Sequence, residues 1–300
     1  MKKELLTAHL PFLRGKDGET ELPVMYYADQ TAMAFFTADT EAVKKMLPSD
    51  RLHPIPLGKG RCAVGFAVLN YLHSSVGSYG EFIFGIPALF DKKPLGPLPL
   101  LVQSLDPAFG FFVAHCPVTS QAAMIAGRNE WNVPKFIADM AFTVGTKGMT
   151  CNLSSDGQKI LDITVPKKGF VMREKRPLII FEAQNGKLLR FPVYTENITE
   201  MAPLPRDASL KVYPGHPMAD DWLRVKPSEK PILTMWLNGR MAAMQKGAVL
   251  ETGVRDWDGH RFENGGKNGV HTVTYGARTF LLENHGKPGT DMQTTLMTDE

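Results

Sequence analysis

Short apolar runs punctuated by Gly, Pro, Asn and Asp dominate the chain, a pattern that predicts strands more often than helices. Val24 to Phe36 reads as a strand, as do Arg61 to Leu72, Tyr79 to Phe90 and Phe111 to Val118. Ser155-Asp156-Gly157 separates Met149–Leu153 from Ile160–Val165, and Asn185-Gly186 separates Leu178–Phe181 from Leu188–Tyr194. Both are hairpin signals, because these residues tolerate the positive φ of a tight turn. Ile232–Leu237 and Val270–Leu282 complete the strands. Helical signals are fewer. Thr37-Ala38-Asp39-Thr40 caps a short helix, Glu41 to Leu47, which Pro48 stops. Ser120 to Trp131 suits a longer one, with Ser120 as cap and Ala122, Ala123, Met124 and Ala126 as helix formers. A third, Met218–Leu223, follows the break at Pro214-Gly215-His216-Pro217.

About ten strands with few helices predict a mainly β fold with minor α, its sheet mainly antiparallel and closed. Residues 1–22 read as an extended arm and 286–300 as a mobile polar tail. The segment 91–108 carries Pro94, Pro97, Pro99 and Pro107 and reads as a loop suited to a lid or an oligomer contact. With no internal repeat or dividing linker, one domain over residues 1–300 is expected.

Composition narrows the class. A chain of 300 residues buries roughly 75% of its unfolded surface. Net charge is 34 − 31 = +3, too weak to argue for nucleic acid. Cys62, Cys116 and Cys151 are odd in number and far apart, which predicts buried free thiols in a reducing compartment. The N-terminal apolar stretch is broken by His9 and Pro11, so a signal peptide is not expected. A soluble cytoplasmic protein without membrane spans follows.

The candidate chemistry lies in Gly127-Arg128-Asn129-Glu130-Trp131-Asn132-Val133-Pro134-Lys135-Phe136. It sets one lysine behind a proline in an apolar, aromatic run. The ordinary lysine pKa is about 10.4, so a nucleophilic amine needs help. Apolar surroundings disfavour the ammonium and free the amine for Schiff-base formation. Trp131, Val133 and Phe136 are the expected apolar wall. Glu81 sits in an otherwise apolar strand, where a carboxylate is costly unless used or paired, and is the candidate proton shuttle. The competing reading makes it an exposed strand-end carboxylate. Arg128 and Glu130 are either site residues or a structural ion pair at a helix C-terminus. His53, His73 and His115 lack metal-ligand spacing, and Met235, Met241 and Met244 read as packing.

Three segments resemble the acetoacetate decarboxylase superfamily: Tyr79-Gly80-Glu81-Phe82, Gly127-Arg128 with Pro134-Lys135, and Leu210 to Ala219. The resemblance implies a closed double-cone β-barrel, a homo-oligomer and covalent catalysis through Lys135 without a cofactor. Activated lysine in that decarboxylase is itself a standard example of the principle. Tyr79 is implied as part of the pocket. The chain departs from the family pattern in three places. Phe136 replaces a second lysine whose charge depresses the first amine's pKa, so desolvation is left to do that work. Residues 24–36 hold no arginine, and Ala63 to Leu72 holds no acid. The expected function is a carbon-carbon lyase acting on a small oxo-acid or 1,3-dicarbonyl compound, by decarboxylation or by aldolase or dehydratase chemistry. The alternative is a non-catalytic barrel that binds an apolar ligand or partner.

Overall fold

The computed structural model describes residues 13–14, 21–101, 106–257, 259, 267–282 and 294–297. Within these residues the apolar runs pair into two large sheets, and the larger closes on itself. Its ring consists of β1 (Val24–Asp39), β2 (Arg61–Ser74), β3 (Tyr79–Phe90), β4 (Phe109–Val118), β5 (Phe170–Gln184), β6 (Lys187–Pro203) and β7 (Leu233–Met244). Pairing runs β3–β2–β1–β7–β6–β5–β4, and β4 returns to β3. The closed, mainly β architecture expected from the pattern is therefore present, with more strands than the ten or so counted.

The ring is mainly antiparallel, as expected, with one parallel join. β4 and β5 pair in parallel through Phe111–Ile180 and Phe112–Phe181. The chain between them crosses over through the second sheet, so β5 re-enters in the same direction as β4. That sheet orders Ser209–Val212, Gln158–Pro166, Gly148–Ser155, Asp139–Gly145, His271–Tyr275, Arg278–Leu282 and Thr294–Met297. Part of the expected mobile tail is thus an edge strand; the rest of 286–300 lies outside the described residues. In the expected arm, Leu13–Arg14 pairs with Glu21–Leu22, and the remaining residues before 21 lie outside the described set.

Closure explains why the barrel strands are apolar on both faces. In β1, Ala32, Ala34 and Phe36 face a core shared with Phe142, Ile163 and Val273 of the second sheet. Phe35 and Tyr26 join an inner core with Leu69, Phe111 and Met235. Among the described residues, three helices are seven residues or longer: α1 (Thr40–Met46), α2 (Gln121–Trp131) and α3 (Pro217–Arg224). α3 buries Trp222 against Phe36, Phe66 and Phe84, with ring centroids 5.1, 4.1 and 5.2 Å away. The proline-rich segment forms one helical turn at Leu98–Leu101, and 102–105 lie outside the described residues.

Candidate active site

Helix α2 sets the position of Lys135. Ser120 Oγ accepts from the Ala123 N–H at 3.2 Å and starts the helix. Asn132, at φ 58° and ψ 21°, ends it in the left-handed conformation that an asparagine tolerates. Pro134 cannot continue a helix, and the chain becomes a short strand, Lys135–Ile137, parallel to β4 with Lys135 opposite Cys116. Arg128 Nε donates to the Lys135 carbonyl at 2.7 Å and pins that strand to the helix. The Lys135 stem then crosses Gly127, where an added Cβ would lie 2.6 Å from Lys135 Cδ and Cε. Glycine at 127 is what lets the stem pass.

Inside the barrel, Lys135 Nζ donates to Glu81 Oε2 at 2.6 Å. Both side chains are buried, 5% and 8% exposed. The exposed-carboxylate reading of Glu81 is excluded. Tyr71 OH makes a long hydrogen bond to Glu81 Oε1, 3.5 Å, and the Tyr79 ring centroid lies 5.6 Å from Nζ. Tyr26, Tyr71 and Tyr79 form a ring stack with centroids 4.5 and 4.6 Å apart. Beside them Arg240 is ion-paired with Asp29, both buried, and Thr31 Oγ1 donates to Asp29 Oδ1 at 2.8 Å. The Arg240 guanidinium stands 5.9 Å from the Tyr26 ring and 6.0 Å from that of Tyr71. Glu81, Lys135, Tyr71, Cys116 and Arg240 all line a cavity of about 110 Å³ whose remaining wall is mostly apolar.

The electrostatics correct one expectation. Burial pushes the Lys135 ammonium towards losing its proton, but the Glu81 carboxylate beside it outweighs burial and leaves the pKa raised. Desolvation alone does not free the amine. Burial likewise pushes the Tyr26 phenol up to about 12 and raises Tyr71, Tyr79 and the Cys116 thiol well above their ordinary values. Burial opposes the Arg240 charge too, yet Asp29 raises its pKa overall. Near neutral pH Lys135 and Arg240 therefore keep their charge, and the three phenols and the Cys116 thiol keep their protons.

The structure separates the remaining candidates. Strand alternation turns Phe136 to the face opposite Lys135, where it stacks on His216 at 5.5 Å, so it is not the apolar wall. Trp131 is buried with its Nε1 donating to the Gln245 carbonyl at 2.8 Å, and Glu130 is buried on α2; neither lines the cavity, nor does Pro134, whereas Val133 does. His115 bonds Asp221 at 2.9 Å inside the core. Among the described residues no group of side chains suits a metal ion, no helix is long and apolar enough to cross a membrane, and all three cysteines are buried and free. Sequence reasoning missed Arg240, Asp29, Tyr26 and Tyr71. The signal for Arg240 was the one that exposed Glu81, a charge within an apolar strand.

Comparison with known proteins agrees with this fold. An acetoacetate decarboxylase from Legionella pneumophila shares the fold at a TM-score of 0.56 and 15% identity, over 84% of this chain and 97% of that one. Another solved acetoacetate decarboxylase gives 0.55 and 15%, over 84% and 99%. The enduracididine biosynthesis enzyme MppR, solved with pyruvate, gives 0.52 and 15%, over 79% and 95%. No curated protein sequence matches. The sequence pattern of the family described as acetoacetate decarboxylase matches residues 9–243. With most of its length matched, the chain belongs to the acetoacetate decarboxylase family, whose enzymes are of the decarboxylase and lyase kind.

Proposed function

We propose that the protein is a cofactor-independent carbon-carbon lyase that forms a Schiff base through Lys135 with a small oxo-acid or 1,3-dicarbonyl substrate. One observation carries this reading: Lys135 Nζ lies 2.6 Å from Glu81 Oε2 on the wall of a largely apolar cavity. Substrate entry displaces water, and in the drier site one proton passes from Nζ to Glu81, which neutralises both groups. The Nζ lone pair adds to the carbonyl carbon, and the carbonyl π pair moves to oxygen, which takes the Glu81 proton. Glu81 removes a proton from the nitrogen, giving the carbinolamine, and returns it to the hydroxyl. Water leaves, and the nitrogen lone pair closes the iminium. A carbon-carbon bond then breaks, its electron pair entering the iminium to give an enamine: a carboxylate leaves as carbon dioxide, or a β-hydroxyl gives its proton to Glu81 and leaves as a carbonyl fragment. Protonation at carbon and addition of water release the ketone and restore the amine.

The raised lysine pKa fits this scheme. A pocket that favours positive charge at Nζ favours the iminium for the same reason. Arg240 supplies the cation that residues 24–36 lack and faces the polar end of the cavity, although Asp29 matches its charge. MppR, with the same fold, was solved with pyruvate; a small oxo-acid suits this cavity on the same chemistry. The charged resting state of Lys135 favours a second reading, a barrel that binds an apolar ligand without turnover. We also propose one domain over residues 1–300, acting as a cytoplasmic homo-oligomer.

The test is product analysis with a panel of oxo-acids and 1,3-dicarbonyls, quantifying carbon dioxide and carbonyl products beside Lys135→Ala and Glu81→Gln. Turnover abolished in Lys135→Ala supports the enzyme. Turnover unchanged in that variant overturns the Schiff-base reading, and turnover absent with every substrate while ligands bind reversibly gives the second reading.

A further inference from the structure

Along β3 the cavity wall runs Glu81, Ile83, Gly85, and the paired positions on β2 are Leu69, Ala67 and Gly65. Four residue steps separate Glu81 from Gly85, roughly 13 Å along an extended strand. Beyond Glu81 this stretch carries no charge. The cavity of about 110 Å³ thus continues from the charged pair as an apolar channel along β3, walled also by Phe35 and Phe111.

The two glycines at its far end are there for different reasons. At Gly65 an added Cβ would lie 2.7 Å from the Phe35 ring and 2.9 Å from the Ala34 carbonyl, so packing excludes a side chain. At Gly85 an added Cβ would meet nothing nearer than 3.8 Å. Its backbone lies outside the positive-φ region, so the bulge between Phe84 and Gly85 does not require glycine either. A strand-interior glycine weakens a sheet and marks a place where something else approaches the backbone. With neither packing nor conformation to explain Gly85, the space above it is left for a ligand.

We propose that this space takes an apolar chain attached to the substrate carbonyl, and that Gly85 sets the chain length accepted. The preferred substrates are then alkyl-bearing oxo-acids or 1,3-dicarbonyls rather than methyl ketones. This rests on the Schiff-base reading for which end of the substrate meets Lys135.

The experiment compares acetylacetone with hexanoylacetone. In each, Nζ adds to a carbonyl carbon, water leaves, and loss of a proton from the central carbon gives a stable enaminone that mass spectrometry reports. In the unmodified protein hexanoylacetone should react at least about tenfold faster, since single methylenes in apolar pockets already discriminate to that degree. Gly85→Leu should slow hexanoylacetone at least about tenfold and leave acetylacetone within about twofold, with Gly85→Ala shifting the ratio the same way by less. Equal slowing of both, or no preference in the parent, overturns the channel. If neither dione forms an adduct, the Schiff-base reading fails instead. Titration of hexanamide and acetamide by NMR then tests the channel alone: tighter hexanamide binding that Gly85→Leu removes supports it, and equal binding overturns it.

Discussion

Lys135 and Glu81 are paired in a place where neither charge is comfortable alone. Removing one partner of such a buried pair leaves the other charge without compensation, a loss of about 3–5 kcal/mol. Lys135→Met and Glu81→Gln should each be destabilised to that order in denaturant unfolding, and the double variant should recover much of the loss. Single variants as stable as the parent would mean that water reaches the pair. Loss of the shuttle should also cost Glu81→Gln about 10²–10⁴ in turnover. The pair was half legible in the sequence. A lysine behind Pro134 and a carboxylate in an apolar strand were each anomalous, but only the barrel brings residues 54 positions apart to 2.6 Å. What sequence reasoning misjudged was the sign of the lysine pKa shift, because burial was weighed without the carboxylate that burial also desolvates.

Helix α2 and the strand after it act as one positioning unit, with Gly127 as its critical residue. Alanine in a helix interior is normally favoured over glycine by about 1 kcal/mol. At 127 the added Cβ would sit 2.6 Å from the lysine stem. Displacing the stem also disturbs its buried pairing with Glu81, so Gly127→Ala should lower the melting temperature despite that gain, while Lys135 labelling by carbonyl reagents falls by about 10², the scale of a 1 Å misplacement. Labelling at the parent rate would show that the stem has room to move. The same unit was well signposted: Ser120 caps it, and Asn132 and Pro134 stop it. The hairpins were equally plain, since Asp156, Gly157, Asn185 and Gly186 all take positive φ. β7 runs past Leu237, the end expected from the sequence, and the next residues are Asn238-Gly239. Gly239 does take a positive φ of 56°, yet β7 continues past it to Met244, with irregular register against β6. Arg240 lies past that point, which is why the arginine escaped notice.

At the scale of the molecule, two sheets share a core, and one contact across them is sensitive to acid. His271, on the second sheet, bonds Asn70 Oδ1 of β2 at 2.8 Å, and burial pushes its pKa from the ordinary 6.5 down to about 3. The unfolded chain binds a proton there at pH 5 and the folded chain does not, so stability is full above pH 6.5 and falls as pH drops towards about 3. The contribution approaches about 1.4 kcal/mol per pH unit within that window. His271→Gln should flatten this part of the stability profile; an unchanged slope would place the acid sensitivity elsewhere. Closure of the barrel was readable from strand count and two-sided apolarity. The parallel join of β4 and β5 was not, since it depends on the chain leaving to build a second sheet before returning.

The most direct measurement of the central claim is borohydride reduction in the presence of a carbonyl substrate, followed by peptide mapping. A single reduced adduct on Lys135, absent in Lys135→Ala, is the predicted result. An adduct on another lysine, or none with any oxo-acid or dicarbonyl that the protein binds, would contradict it.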